Sequence, residues 1–115
     1  MIRETVYLGH DNTLDWRLTE TGDAIDMSSV TSVELIVNGI TFNSDSYGGN
    51  TSTGPFYWTT GIPADGAANL FLRLGPLFET AEIPAGTYRS CRLILYDVIN
   101  INGLLWDNTI SFVVK

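Results

Sequence analysis

The stretch VELIVNGITF, Val33 to Phe42, constrains the chain most. Val33, Leu35 and Val37 alternate with Glu34 and Ile36, the period of two that sends successive side chains to opposite faces of a strand. Asn38-Gly39 follows, and because both residues tolerate positive φ the chain is predicted to reverse there in a tight hairpin. Ile40 and Phe42 then return antiparallel. The same alternation recurs along the chain. Leu14, Trp16 and Leu18 oppose Asp15 and Arg17; Leu70, Leu72 and Leu74 oppose Phe71 and Arg73; Cys91, Leu93 and Leu95 share one face, as do Ile110, Phe112 and Val114. Turn residues separate these runs at intervals of about 8–12 residues, and no helical stripe of useful length interrupts them. The expectation is an all-β, antiparallel β-sandwich of about 7–9 strands with no substantial helix. One such sandwich takes about 100 residues, so residues 1–115 are read as a single domain.

Composition narrows the function. Six Lys and Arg stand against thirteen Asp and Glu, a formal charge of −7, the wrong sign for holding a phosphate backbone by counterion release. Direct binding of nucleic acid is therefore not expected. No run approaches the ~18 apolar residues of a membrane-spanning helix, and MIRETVYLGH lacks the apolar core and cleavage site of a secretory signal. With a single cysteine, Cys91, no intrachain disulfide can form, which fits folding in a reducing cytoplasm.

The search for chemistry ends without a reaction. His10 is the sole histidine, and no nucleophile motif accompanies it. Cys91 has the parity of Leu93 and Leu95 and is read as a core residue. One Cys and one His cannot close a zinc site, and Asp23 and Asp26 lack the spacing of a calcium loop. No phosphate loop or dinucleotide fingerprint is present. The chain is accordingly expected not to be an enzyme and to carry no metal and no cofactor.

Binding is the alternative to chemistry. NSDSYGGNTSTGP, Asn43 to Pro55, is polar, almost without apolar anchors, and reads as a long mobile loop able to present contacts. Trp16 has core parity, whereas Trp58 and Trp106 lie close to turns. Tyr47, Asn50, Thr51, Ser52, Trp58 and Trp106 are therefore the candidate partner contacts. Trp58, Trp106 or Tyr96 would serve a small carbohydrate-binding or adhesion module, since sugars stack on exposed rings. Asn50-Thr51-Ser52 is also a glycosylation sequon, without consequence if the protein is not secreted.

Two blocks resemble a known family. DNTLDWRLTETGDAIDMSSVTSVELIVNG, Asp11 to Gly39, and AGTYRSCRLILYD with the later NGLLW are similar to the small immunoglobulin-like structural proteins of tailed bacteriophages, including the N-terminal domain of siphophage upper baseplate proteins. The resemblance implies an immunoglobulin-like sandwich. It also implies a virion building block of tail, baseplate or head surface, made and assembled in the host cytoplasm. Its partners would be other virion proteins and further copies of itself, with a host-surface glycan as a secondary partner. The family's members often continue into a coil or fibre, which is not expected of this chain, since the sequence stops at Lys115. A second departure concerns the corner tyrosine. It normally sits two residues before the cysteine, whereas Tyr88 and Cys91 are three apart and face oppositely unless a bulge intervenes.

Overall fold

The computed structural model describes residues 2–115. Ten strands form in order: β1 Arg3–Val6, β2 Thr13–Trp16, β3 Thr19–Glu20, β4 Asp23–Ala24, β5 Val30–Val37, β6 Ile40–Asn43, β7 Phe56–Trp58, β8 Leu70–Arg73, β9 Gly86–Asp97 and β10 Leu104–Val114. A five-stranded sheet has the order β1-β10-β9-β5-β6, and a three-stranded sheet the order β2-β8-β7. β3 and β4 make a separate two-stranded hairpin. Every pair is antiparallel except β1 with β10, which is parallel. The protein is an all-β sandwich.

The two larger sheets face each other across one core. Val33, Leu35, Val37, Leu93, Leu95, Ile110 and Phe112 of the first sheet are buried with Leu14, Trp16, Phe56, Leu70 and Leu72 of the second. The Trp16 and Phe112 rings stack between them, centroids 6.1 Å apart. The indole N–H of Trp16 would be costly to bury alone; it donates to Glu4 Oε1 at 3.1 Å.

Asn69 is fully buried. Its Oδ1 accepts from Leu18 N at 2.7 Å, and its Nδ2 donates to the carbonyls of Leu18 and Ile25. One amide thereby replaces the ladder that β2 lacks beyond Trp16, and it ties the β3–β4 hairpin to the body.

The Asn38-Gly39 hairpin forms as its residues require, with φ of 53° and 74°. Elsewhere the backbone departs from the simple pattern. Between β8 and Ile83-Pro84, where the Gly75-Pro76 pair has the composition of a turn, the chain forms a six-residue helix, α1 Gly75–Thr80, that buries Leu77 and Phe78. Asp107-Asn108, a polar pair of turn composition, is an irregularity within one long strand, β10, where Asp107 Oδ1 accepts from Thr109 N and Oγ1. A polar Asp-x-Thr reads as a turn because its side chains bond the local backbone. Here they do so without ending the strand.

The polar loop after β6 is also more ordered than its composition suggests. Ser44–Tyr47 forms a 3₁₀ turn capped by Asn43, whose Oδ1 accepts from Asp45 N. Ser44 is fully buried and its Oγ accepts from Val33 N. The loop is thereby fastened to β5.

Candidate interaction surface

β9 and β10 contain twelve and eleven residues, whereas β2, β7 and β8 of the facing sheet contain three or four. At about 3.3 Å per residue, the β9–β10 ribbon must outrun its cover. Leu104 pairs with Leu95 and Leu105 with Ile94. These neighbours point to opposite faces, so the ribbon carries an exposed leucine on each side. The connection adds Val98, Ile99 and Ile101, which are 77%, 87% and 73% exposed. The result is an apolar tongue, Val98 to Leu105.

Local chemistry fixes the tongue's shape. Asp97 Oδ1 accepts from Ile99 N at 2.9 Å, Asn100 N at 2.6 Å and Asn100 Nδ2 at 3.1 Å. The bonds from Asn100 hold the Asp97 carboxyl below its ordinary value, with Ile99 N–H acting in the same sense. Gly103 has φ of 85° and lies against Ile94 and the Tyr96 ring, so that a Cβ would collide with both. Tyr96 is itself pinned by its hydroxyl, which donates to Glu34 Oε2 at 2.8 Å and whose pKa that bond raises.

Ile62, 74% exposed, stands at the same end of the sandwich. Its neighbour Gly61 donates to Ser28 Oγ, and Val30 is the register partner of Asp97. Scattered exposed aliphatics are ordinary on a protein surface; five within eight consecutive residues are not.

The six contact residues read from the sequence do not converge on one site. Trp58 is only 3% exposed and belongs to the core, which removes its ring from the candidate contacts. Its parity on β7 matches Phe56, and both pack inward. Asn50 spends its amide on the Trp58 backbone, accepting from Trp58 N and donating to Trp58 O, both at 2.8 Å. Thr51 Oγ1 donates to Gly48 O. Ser52 is exposed, and Trp106 is half-buried against the core. Tyr47 stays partly exposed while its ring leans on Phe42 and Phe56. It lines a shallow hollow of about 430 Å³ with Pro55, Arg73 and Leu77.

Of the residues considered for chemistry, His10 is exposed and Cys91 is a buried free thiol whose pKa burial raises. Among the described residues no group of three or more His, Cys, Asp or Glu is placed to hold a metal ion. No helix there is long and apolar enough to cross a membrane. Comparison of the chain with known protein families, with characterised proteins and with solved structures finds no match.

Strand alternation on either side marks β9 and β10 and masks the tongue between them. The available signal was the connection itself. Val98, Ile99 and Ile101 occupy positions where turn chemistry favours Gly, Asn, Asp and Ser.

Proposed function

We propose that this protein is a non-enzymatic building block of a larger assembly, working through protein–protein contacts made by the β9–β10 tongue. The exposed apolar tongue is the observation that carries this reading. Its resemblance to phage structural proteins makes a virion of a tailed bacteriophage the assembly proposed, with copies of itself and other virion proteins as partners.

Magnitudes favour a repeated contact over a solitary one. A large aliphatic side chain taken fully out of water contributes about 1.5–3 kcal/mol. Five that are already partly covered would give about 5–10 kcal/mol gross. That is comparable to the ~4–15 kcal/mol cost of immobilising a partner, so one tongue contact alone is weak. Copies held together at several points convert it into a stable one.

Light scattering over a wide concentration range tests the proposal. In salt that suppresses charge pairing, the wild-type chain should form a discrete oligomer, and an Ile99→Asp/Leu105→Asp variant with an unchanged circular dichroism spectrum should remain monomeric. A variant that associates as the wild type does, or a wild type monomeric throughout, would refute it.

Sugar binding is favoured by one observation only. Tyr57 and Phe71, half-buried with centroids 5.6 Å apart, alternate with inward-facing Phe56, Trp58, Leu70 and Leu72 and so lie on the outer side of the three-stranded sheet, with Asp15 in register beside Phe71. A glycan platform would use these rings in place of Trp58.

A further inference from the structure

Among the described residues, the large apolar side chains that stand in water gather at the two ends of the sandwich. Val98, Ile99, Ile101, Leu104 and Leu105 form the tongue, with Ile62 at the same end; the others are Tyr7 and Tyr47. The tongue meets β10 at its first residue, Leu104, whereas Tyr7 follows Val6, the register partner of Val114 at the end of β10. The eleven residues of β10, at about 3.3 Å each, carry the chain from one end to the other along the longest dimension of the molecule, 35 Å.

Tyr47 lines the hollow of about 430 Å³, and backbone hydrogen bonds put that hollow at the end where Tyr7 lies. Leu8 N donates to Lys115 O and Gly9 N to Gly75 O, so α1 starts where β10 finishes, with Pro76 and Leu77 in its first turn. Arg73 N donates to Pro55 O. Pro55 precedes β7, whose other end leads to Gly61 and Ser28 on the tongue's side. Tyr47, Pro55, Pro76 and Leu77 supply the apolar lining of the hollow. Arg73 and Asp11 also border it and cancel in formal charge, so apolar fit rather than charge selects what enters. Its volume is far beyond the ~30 Å³ of one water molecule, enough to admit side chains.

The shape of the tongue calls for such a receiver. Leu104 and Leu105 point to opposite sides of the ribbon, so a flat contact between two tongues covers one side and leaves the other in water. A concave surface touches both. The Asp97 hydrogen bonds and Gly103 already hold the tongue in one shape, so its insertion carries little ordering cost.

We propose that the Tyr47–Leu77 hollow receives the tongue of a second copy of this chain. Tongue and hollow are different patches at opposite ends, so copies join head-to-tail. The discrete oligomer expected of the protein is then a closed ring, in which each copy is held at both ends and a weak single contact is reinforced. The proposal rests on the assembly reading and adds to it the surface that the tongue meets.

Sedimentation equilibrium of the full chain, at concentrations up to about 1 mM so that a weak contact is populated, tests this. The variants are Ile99→Asp/Leu105→Asp in the tongue, and Pro76→Asp and Tyr47→Asp in the hollow. Pro76 is exposed and an acidic residue suits the start of a helix, so Pro76→Asp changes the hollow and spares the fold. Each variant should weaken association about tenfold or more. An equimolar mixture of the tongue variant with a hollow variant should form a 1:1 pair and grow no further, since one intact tongue meets one intact hollow and the remaining ends are blocked. Hollow variants with a native circular dichroism spectrum that associate like the wild type, or a mixture that stays monomeric, would overturn the proposal while leaving the tongue's part in assembly intact. A tongue variant that associates like the wild type would overturn both.

Discussion

Ser90, held at φ of 58°, is the residue on which the geometry of β9 turns. Its bulge brings Tyr88 to the face of Cys91, so that Tyr88 packs against the core and its hydroxyl donates to Pro84 O at 2.6 Å. That is the tyrosine-corner bond of immunoglobulin-type sandwiches, recovered at a spacing of three. Spacing alone could not disclose it, because the parity of a strand is legible in sequence only while the strand is regular. Ser90→Gly should leave stability unchanged or raise it by up to about 1 kcal/mol, since glycine carries no Cβ penalty at positive φ. Ser90→Val should lower it by about 1–2 kcal/mol. Urea unfolding of the three proteins would measure both. Cys91, with its thiol donating to Tyr88 O at 3.6 Å and its pKa raised by burial, should react with a thiol reagent only as the protein unfolds. Labelling of the native protein at the rate of a free thiol would contradict its placement.

The elements divide by how their signals were written. β5, β6, β8 and the core half of β9 were legible because alternating aliphatics state both strand and face. α1 was not: a single helical turn has too few positions to show a period, and its Gly-Pro start reads equally as a turn. The Asn43–Pro55 loop conceals its anchors for a related reason. Its Ser, Asn and Thr look solvent-directed, yet Ser44 and Asn50 supply the hydrogen bonds that bind it to β5 and β7. Asn69→Leu should cost about 1–3 kcal/mol, since it leaves the buried Leu18 amide without its acceptor, while the Leu18 carbonyl keeps Ile25 N–H as a donor; thermal or urea unfolding would show it.

The tongue should respond to acid. Because the folded pKa of Asp97 is depressed below 3.8, its charged form favours the ordered turn. That stabilisation is complete above the ordinary carboxylate pKa and is lost as pH falls through the lower folded value. In an amide NMR titration, Ile99 and Asn100 should therefore shift with a midpoint below 3.8. A midpoint at or above that value would contradict the hydrogen bonds assigned to Asp97.

At the scale of the molecule, the all-β sandwich was legible because every long apolar run alternates and turns punctuate them. The candidate surface was not, since exposure depends on where the facing sheet ends. β9 and β10 are long, the strands opposite are short, and this mismatch leaves Leu104 on the inward face uncovered, beside Leu105 on the outer face. No single residue announces it.

Amide hydrogen exchange at low and high protein concentration, in salt that suppresses charge pairing, tests the central claim most directly. Residues 98–105 should gain protection as the chain associates, with the outer face of the three-stranded sheet unchanged. Association with the tongue still exchanging as it does in the monomer, and protection gained elsewhere, would contradict the account.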